Sequence, residues 1–171
     1  ALSGQKAYAY QLDVSDPDAI EQVVTQLKSD LNRVDVLVNA AGFGLFELAL
    51  ETPMPVVEQM FRVNVLGLMY LTRAIGQLMV AQGVGQIINI ASMAGKMATQ
   101  KSAIYSATKF AVIGYSNGLR LELKPLGVQV TTVNPGPIDT DFFNIADQTG
   151  LYLESVDWIV LDPDRLAKRI V

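Results

Sequence analysis

The chain has 171 residues, half of them hydrophobic and 18% charged, with 13 basic against 17 acidic side chains and a net charge of −4. It contains no cysteine and no histidine, which excludes disulfides, thiol catalysis and imidazole chemistry, so any proton transfer must use Asp, Glu, Lys or Tyr. Scattered Lys and Arg give no reason to expect a nucleic-acid partner. Arg62, Asn64, Arg73 and Gln77 interrupt the longest apolar stretches, so no membrane span is expected.

Residues 6–14, KAYAYQLDV, alternate in polarity and predict a strand. Residues 15–32 predict a helix, with Ser15 as N-cap, Pro17 in the first turn and Ile20, Val23, Val24, Leu27 and Leu31 at helical spacing. The apolar run over 34–42 predicts a strand covered on both faces. A long helix apolar on more than one side follows over 55–82, then a buried strand over 85–92. Residues 103–124 predict a helix stopped by Pro125 and Gly127, and 128–136 a strand ending in a Pro-Gly turn.

Repeated strand–helix alternation predicts an α/β fold with a parallel sheet. No repeat, low-complexity tract or linker divides the chain, so one domain over 1–171 is expected. Residues 137–163 are irregular and aromatic-rich. Such a segment is either a lid or binding loop, or a place where Phe142, Phe143, Tyr152 and Trp158 pack a core or an interface. Neither the natural start nor the end of a protein is legible, since the chain opens without Met almost directly into a strand and stops inside a helical pattern. It reads as part of something longer, with no signal peptide, and the absence of cysteine fits the cytoplasm.

In open α/β sheets ligands sit beyond the carboxyl ends of the strands. Asp13 and Val14, Asn39 to Gly42, Ser92, and Asn134 to Gly136 all fall at such ends. Tyr105 and Lys109 stand four residues apart in one predicted helix, so phenol and ammonium face the same way. Alone, each has a plain structural reading: an edge Tyr with a solvated Lys, Ser92 capping a turn, Asn64 as a satisfied core amide.

Taken together they form an ordered series. Asn39-Ala40-Ala41-Gly42 ends one strand, Asn64 lies in the next helix, and Ser92 follows the next strand. Tyr105-x-x-x-Lys109 begins thirteen residues beyond Ser92, and Pro135-Gly136 with Thr140 follows the last strand. In this order and spacing the chain closely resembles the short-chain dehydrogenases/reductases over nearly all of its length. The resemblance implies a Rossmann-type doubly wound parallel sheet in three α/β/α layers, incomplete here, and an oxidoreductase that moves a hydride between NAD or NADP and a carbonyl or secondary alcohol.

It also implies a catalytic tetrad of Asn64, Ser92, Tyr105 and Lys109. Tyr105 would be general acid in reduction and base in oxidation. A phenol is a poor base near neutral pH, and a neighbouring ammonium should lower its pKa toward the working range. Lys109 would supply that charge and hold the nicotinamide ribose. Ser92 would donate to the substrate oxygen, and Asn64 would hold a water relaying protons to Lys109. On the cofactor side, Asp13 would meet the adenine amine and Val14 its ring. Asn39 would stabilise the central strand, Ala40, Ala41 and Gly42 would admit the ribose, and Pro135, Gly136, Ile138 and Thr140 would line the nicotinamide end.

The departures are Ala40, where the family most often has Asn, and the lack of a Gly-rich pyrophosphate turn. Gly42-Phe43-Gly44 has no glycine three residues on and follows the wrong strand. In the family's strand order, 3-2-1-4-5-6-7, the strands at 7–14 and 34–39 would flank two others, a gap of roughly 14 Å at ~4.8 Å per strand. The implied partner is a fairly apolar small molecule, with homo-dimers or tetramers formed through the helices at 55–82 and 103–124. Two other classes stay open: a catalytically silent dinucleotide-binding sensor or partner-binding protein on the same fold, and an inactive fragment.

Overall fold

The computed structural model describes residues 6–147 and 157–170. Helix α1 spans Pro17–Asp30. Its cap is Asp16 rather than the expected Ser15: the Asp16 carboxylate accepts from the backbone N–H groups of Asp18 and Ala19. Ser15 instead donates both its N–H and its hydroxyl to Asp13, which turns its side chain away from the helix end and leaves the orphan N–H groups to the next residue. Ile20 and Val24 are the residues α1 buries.

Three parallel strands, β1 (Val36–Asn39), β2 (Gly85–Ile90) and β3 (Val128–Val133), lie in the order β1-β2-β3, with Leu37 opposite Ile87 and Ile87 opposite Val130. The strand expected over 6–14 does not form. A strand exists only where a neighbour takes its N–H and C=O groups, and no strand of the sheet lies beside this segment among the described residues. The other three are two to five residues shorter than their predicted runs, whose last residues leave the ladder and enter the loops of the site.

The predicted long helix is one rod in three parts: α2 (Met54–Phe61), a π-helical turn (Arg62–Gly67) and α3 (Leu68–Gln82). Contrary to the sequence expectation, Met54–Gln82 is long and apolar enough to cross a membrane by length and composition alone. Its packing accounts for that apolarity. Met60, Val65, Leu68, Ile75 and Met79 are buried, and Ile75 and Met79 pack with Ile20, Val24, Ile87, Val128 and Val130 in one core. Helix α4 (Ala103–Leu123) ends in a 3-10 turn at Lys124–Leu126, as Pro125 and Gly127 require.

Helices α1, α3 and α4 all pack on the same face of the sheet, the face carrying Leu37, Ile87, Val128 and Val130. A polar ladder crosses that core: Asn39 donates to Thr72 of α3 and to Asn89 of β2, and Asn89 donates to Ser116 of α4. Asn39 Oδ1 is buried without a hydrogen-bond partner. The opposite face of β1 shows Val36 and Val38, 50% and 48% exposed. The helical layer expected there is not seen among the described residues.

Two left-handed glycines meet where the rod and α4 turn back into strands. Gly83 (φ 72°) ends α3 and Gly127 (φ 80°) ends the 3-10 turn, and a Cβ on Gly127 would overlap the Gly83 carbonyl. Gly127→Ala should therefore cost about 2–3 kcal/mol, from left-handed strain and overpacking together. A drop in the urea midpoint with an unchanged m-value is the check.

Beyond β3 the chain forms α5 (Phe142–Ala146), a 3-10 turn (Asp157–Ile159) and α6 (Pro163–Ile170). Ile138 and Leu161 form a parallel bridge, with Leu161 donating to the Pro137 carbonyl at 2.8 Å, so the two ends of the segment are tied together. The aromatic residues of this segment divide between packed and exposed positions. Phe143 is buried and Phe142 half-buried against the site, whereas Trp158 is 84% exposed. Tyr152 lies outside the described residues.

Candidate active site

The carboxyl ends of β1, β2 and β3 open onto a cavity of about 460 Å³. Ser92 stands just past β2, half-buried, and its hydroxyl accepts from the Ala94 N–H, capping the 3-10 turn Met93–Gly95. That turn lies directly on α4. A Cβ on Gly95 would come 2.7 Å from the backbone carbon and oxygen of Lys109, so residue 95 must lack a side chain for Ser92 to approach the helix.

Tyr105 and Lys109, one turn apart on α4, are 8% and 6% exposed. The ammonium lies 5.6 Å from the Tyr105 ring centroid and donates to the Ile90 carbonyl at 3.0 Å. Burial pulls its pKa down to about 8. The Tyr105 ring is held by edge-to-face and tilted contacts with Phe46 and Phe142, at centroid distances of 5.9 and 5.5 Å. Gly44 backs it: a Cβ there would come 2.9 Å from Phe142 and 3.0 Å from Tyr105.

Asn64 sits in the π turn, where the backbone bulges and turns its side chain into the core. Its amide brackets one residue, accepting from the Phe43 N–H at 2.9 Å and donating to the Phe43 carbonyl at 2.8 Å, and it donates also to Thr108 Oγ1 at 3.1 Å. Asn64 therefore fastens the loop after β1. Its Oδ1 and the Lys109 Nζ both flank Gly42, 3.0 and 3.6 Å from the position a Cβ would take.

Of the residues singled out in the sequence, Ser92, Tyr105, Lys109, Ala40, Gly42, Pro135, Gly136, Ile138 and Thr140 line the one cavity. Asn39 and Asn64 are buried beneath it, and Ala41, Asp13 and Val14 lie outside it. Asp13 is exposed, and hydrogen bonds from the Ser15 side chain and backbone hold its carboxyl below the usual range. Val14 reaches the rod: a Cβ on Gly67 would overlap its carbonyl. Sequence reasoning missed Phe46, Met93 and Met97 in the cavity wall, because they stand in loops without periodicity. It also missed Thr108, which accepts from Asn64 and donates to the Tyr105 carbonyl; its place between Tyr105 and Lys109 was the available signal.

The short chain dehydrogenase family model matches residues 1–149. The chain belongs to the short-chain dehydrogenase family. Among curated relatives it is 33% identical over 156 residues to a probable short-chain type dehydrogenase/reductase, VdlC, of Helicobacter pylori, covering 91% of this chain and 58% of that protein. It is 38% identical to a 3-ketodihydrosphingosine reductase of Bacteroides thetaiotaomicron, covering 81% of this chain and 53% of that one. Among solved structures, the closed form of a serine dehydrogenase complexed with NADP+ superposes with a TM-score of 0.88 at 34% identity, over 95% of this chain and 68% of that one. The short-chain dehydrogenase chain thus spans little more than half the length of these two curated relatives, and its sheet is the Rossmann-type sheet of the family.

Proposed function

We propose that the protein is an NAD(P)-dependent oxidoreductase acting on a carbonyl or secondary alcohol, with Asn64, Ser92, Tyr105 and Lys109 as its acid–base machinery. One observation carries the reading. A buried ammonium lies against a Tyr ring in the cavity that Ser92 also lines, and the floor at residues 40, 42 and 136 carries nothing larger than a methyl group. Ala40 and Gly42 are exposed at the end of β1, and a Cβ on Gly136 would meet nothing within 4 Å. That floor fits the nicotinamide half of a dinucleotide, with Lys109 placed to hold its ribose and Thr140 at its far end. The neighbours solved with NADP+ or NAD+ support the same ligand.

Bound there, the dinucleotide would supply or accept the hydride. The chain's own residues would do the rest. In reduction, Ser92 donates to the substrate oxygen and Tyr105 passes its hydroxyl proton to that oxygen as the carbon receives the hydride. The phenolate left behind is stabilised by the Lys109 charge. It regains a proton through Lys109 and a water held by the second lone pair of Asn64 Oδ1. Cofactor oxidation followed at 340 nm, on the order of the usual dinucleotide assay wavelength, with ketones of graded size tests the reading. No oxidation with any of them would overturn it and favour the silent binding protein.

The Lys109 pKa of about 8 gives a pH signature. Reduction kcat/KM should be level below that value and fall above it as the ammonium is lost. Stability moves the other way. The folded chain holds this proton less tightly than the unfolded chain, whose value is near 10.5, so the burial penalty is complete below pH about 8 and fades as pH rises toward 10.5. A kcat/KM profile without a limb in this region would remove Lys109 from the mechanism.

We infer further that the protein works in the cytoplasm as a homo-dimer or tetramer. Helix α4 turns Phe110 and Leu121 to solvent, with Gly114 and Gly118 between them meeting nothing, and the rod exposes Leu66 and Tyr70. Together they make an apolar face that a second copy would cover.

A further inference from the structure

We propose that the substrate end of this cavity selects against negative charge: it takes neutral, apolar ketones and alcohols and rejects those bearing a carboxylate. The inference rests on the oxidoreductase reading above and deepens it. Phe46, Met93, Met97, Phe142, Phe143 and Ile159 line the cavity, and none of their side chains carries a charge or a strong hydrogen-bond donor. A carboxylate placed against them loses its hydration and gains no partner, which is costly unless a cation compensates.

Lys109 does not fill that role. Its ammonium is hydrogen-bonded to the Ile90 carbonyl and flanks Gly42, at the floor beneath Tyr105. It is the one cation among the described residues lining the cavity. The wall is also poor in donors for a polyol. Thr99 gives its hydroxyl hydrogen to Ser102, and Ser102 gives its own to the Thr99 carbonyl.

A second observation points the same way. Phe46 is shared with a neighbouring cavity of about 290 Å³ whose described lining includes Glu47, Glu51 and Asp147 and, as its one cation, Lys101. With acidic residues outnumbering Lys101 among the described residues of that wall, a carboxylate reaching past Phe46 would meet like charge rather than a counter-ion. The solved neighbour named for serine dehydrogenase sets the opposite expectation, a substrate with a carboxylate, so the two are separable by experiment.

The matched pair is benzylacetone and the keto acid in which a carboxylate replaces its terminal methyl. Titration calorimetry of the protein with NADP+ present should show benzylacetone binding at least about tenfold tighter than the acid. In Met97→Arg, which puts a cation on the half-open rim, that ratio should shrink by about tenfold. Equal or tighter binding of the acid to the unmodified protein overturns the proposal, and so does a failure of both ligands to bind. An unchanged ratio in Met97→Arg also counts against it. Cofactor oxidation is read on parallel samples of the same preparation in which NADPH replaces NADP+. Preferential binding of benzylacetone without any oxidation would leave the charge selection standing and sink the oxidoreductase reading, whereas turnover of the acid at the rate of the ketone would do the reverse.

Discussion

Tyr105→Phe should lower kcat for carbonyl reduction by about a thousandfold, the contribution of a positioned proton donor, while dinucleotide affinity changes by less than about threefold. The change removes one oxygen and keeps the ring. Phe46 and Phe142 therefore still hold it in place, and Lys109 keeps its bond to the Ile90 carbonyl. What disappears is the proton donor beside Ser92 and, with it, the phenolate whose charge the ammonium offsets. The measurement is kcat alongside a dinucleotide titration on the same preparation. Turnover within tenfold of the parent would mean that some other group protonates the substrate, and with no His or Cys in the chain that group would have to be Lys109, an acidic residue or solvent.

Gly95→Ala should be nearly as damaging, although residue 95 touches no reacting atom. The new methyl would sit 2.7 Å from the Lys109 backbone carbon and oxygen and from Ile113 Cδ1. Backbone in the middle of a helix cannot give way as a side-chain tip can, so the turn Met93–Gly95 has to lift off α4. Overpacking of this kind costs about 1–3 kcal/mol. Ser92 caps that turn and moves with it. A displacement of about 1 Å in a catalytic group is enough for roughly a hundredfold loss in rate. A fall in kcat with cofactor affinity retained, together with a lowered urea midpoint, is the expected pattern; a stability loss with kcat intact would show that Ser92 is placed independently of the helix.

Much of this arrangement is legible in the sequence, for a physical reason. Helix α4 and the strand ends are local in sequence, so the Tyr105–Lys109 spacing and the small residues after β1 and β3 can be read there, and their order along the chain gives them meaning that none has alone. The ends of β1, β2 and β3 also carry no periodicity conflict, which is why the sheet's parallel order follows from the pattern. What failed was whatever depends on a distant partner. Residues 6–14 have strand-like alternation, yet alternation describes only which side chains could be buried and says nothing of a neighbour to bond with. Ser15 is the cap expected from the sequence, but both residues cap well, and the turn in which Ser15 bonds to Asp13 leaves the role to Asp16. Phe46, Met93 and Met97 are unreadable because loops that build a wall have no period.

The π turn at Arg62–Gly67 has a consequence for how the rod can vary. A π turn holds one residue more than the α-helical turn it replaces, so the rod before it and the rod after it are out of phase by ~100°. Removing a single codon there would let the whole of Met54–Gln82 wind as one regular helix, and the extra hydrogen-bonding freedom of the bulge would be lost. Asn64 would then swing away from the Phe43 backbone it clasps, or α2 would rotate its buried Met60 toward water. The stretch therefore tolerates substitution on its outer side far better than it tolerates any change of length.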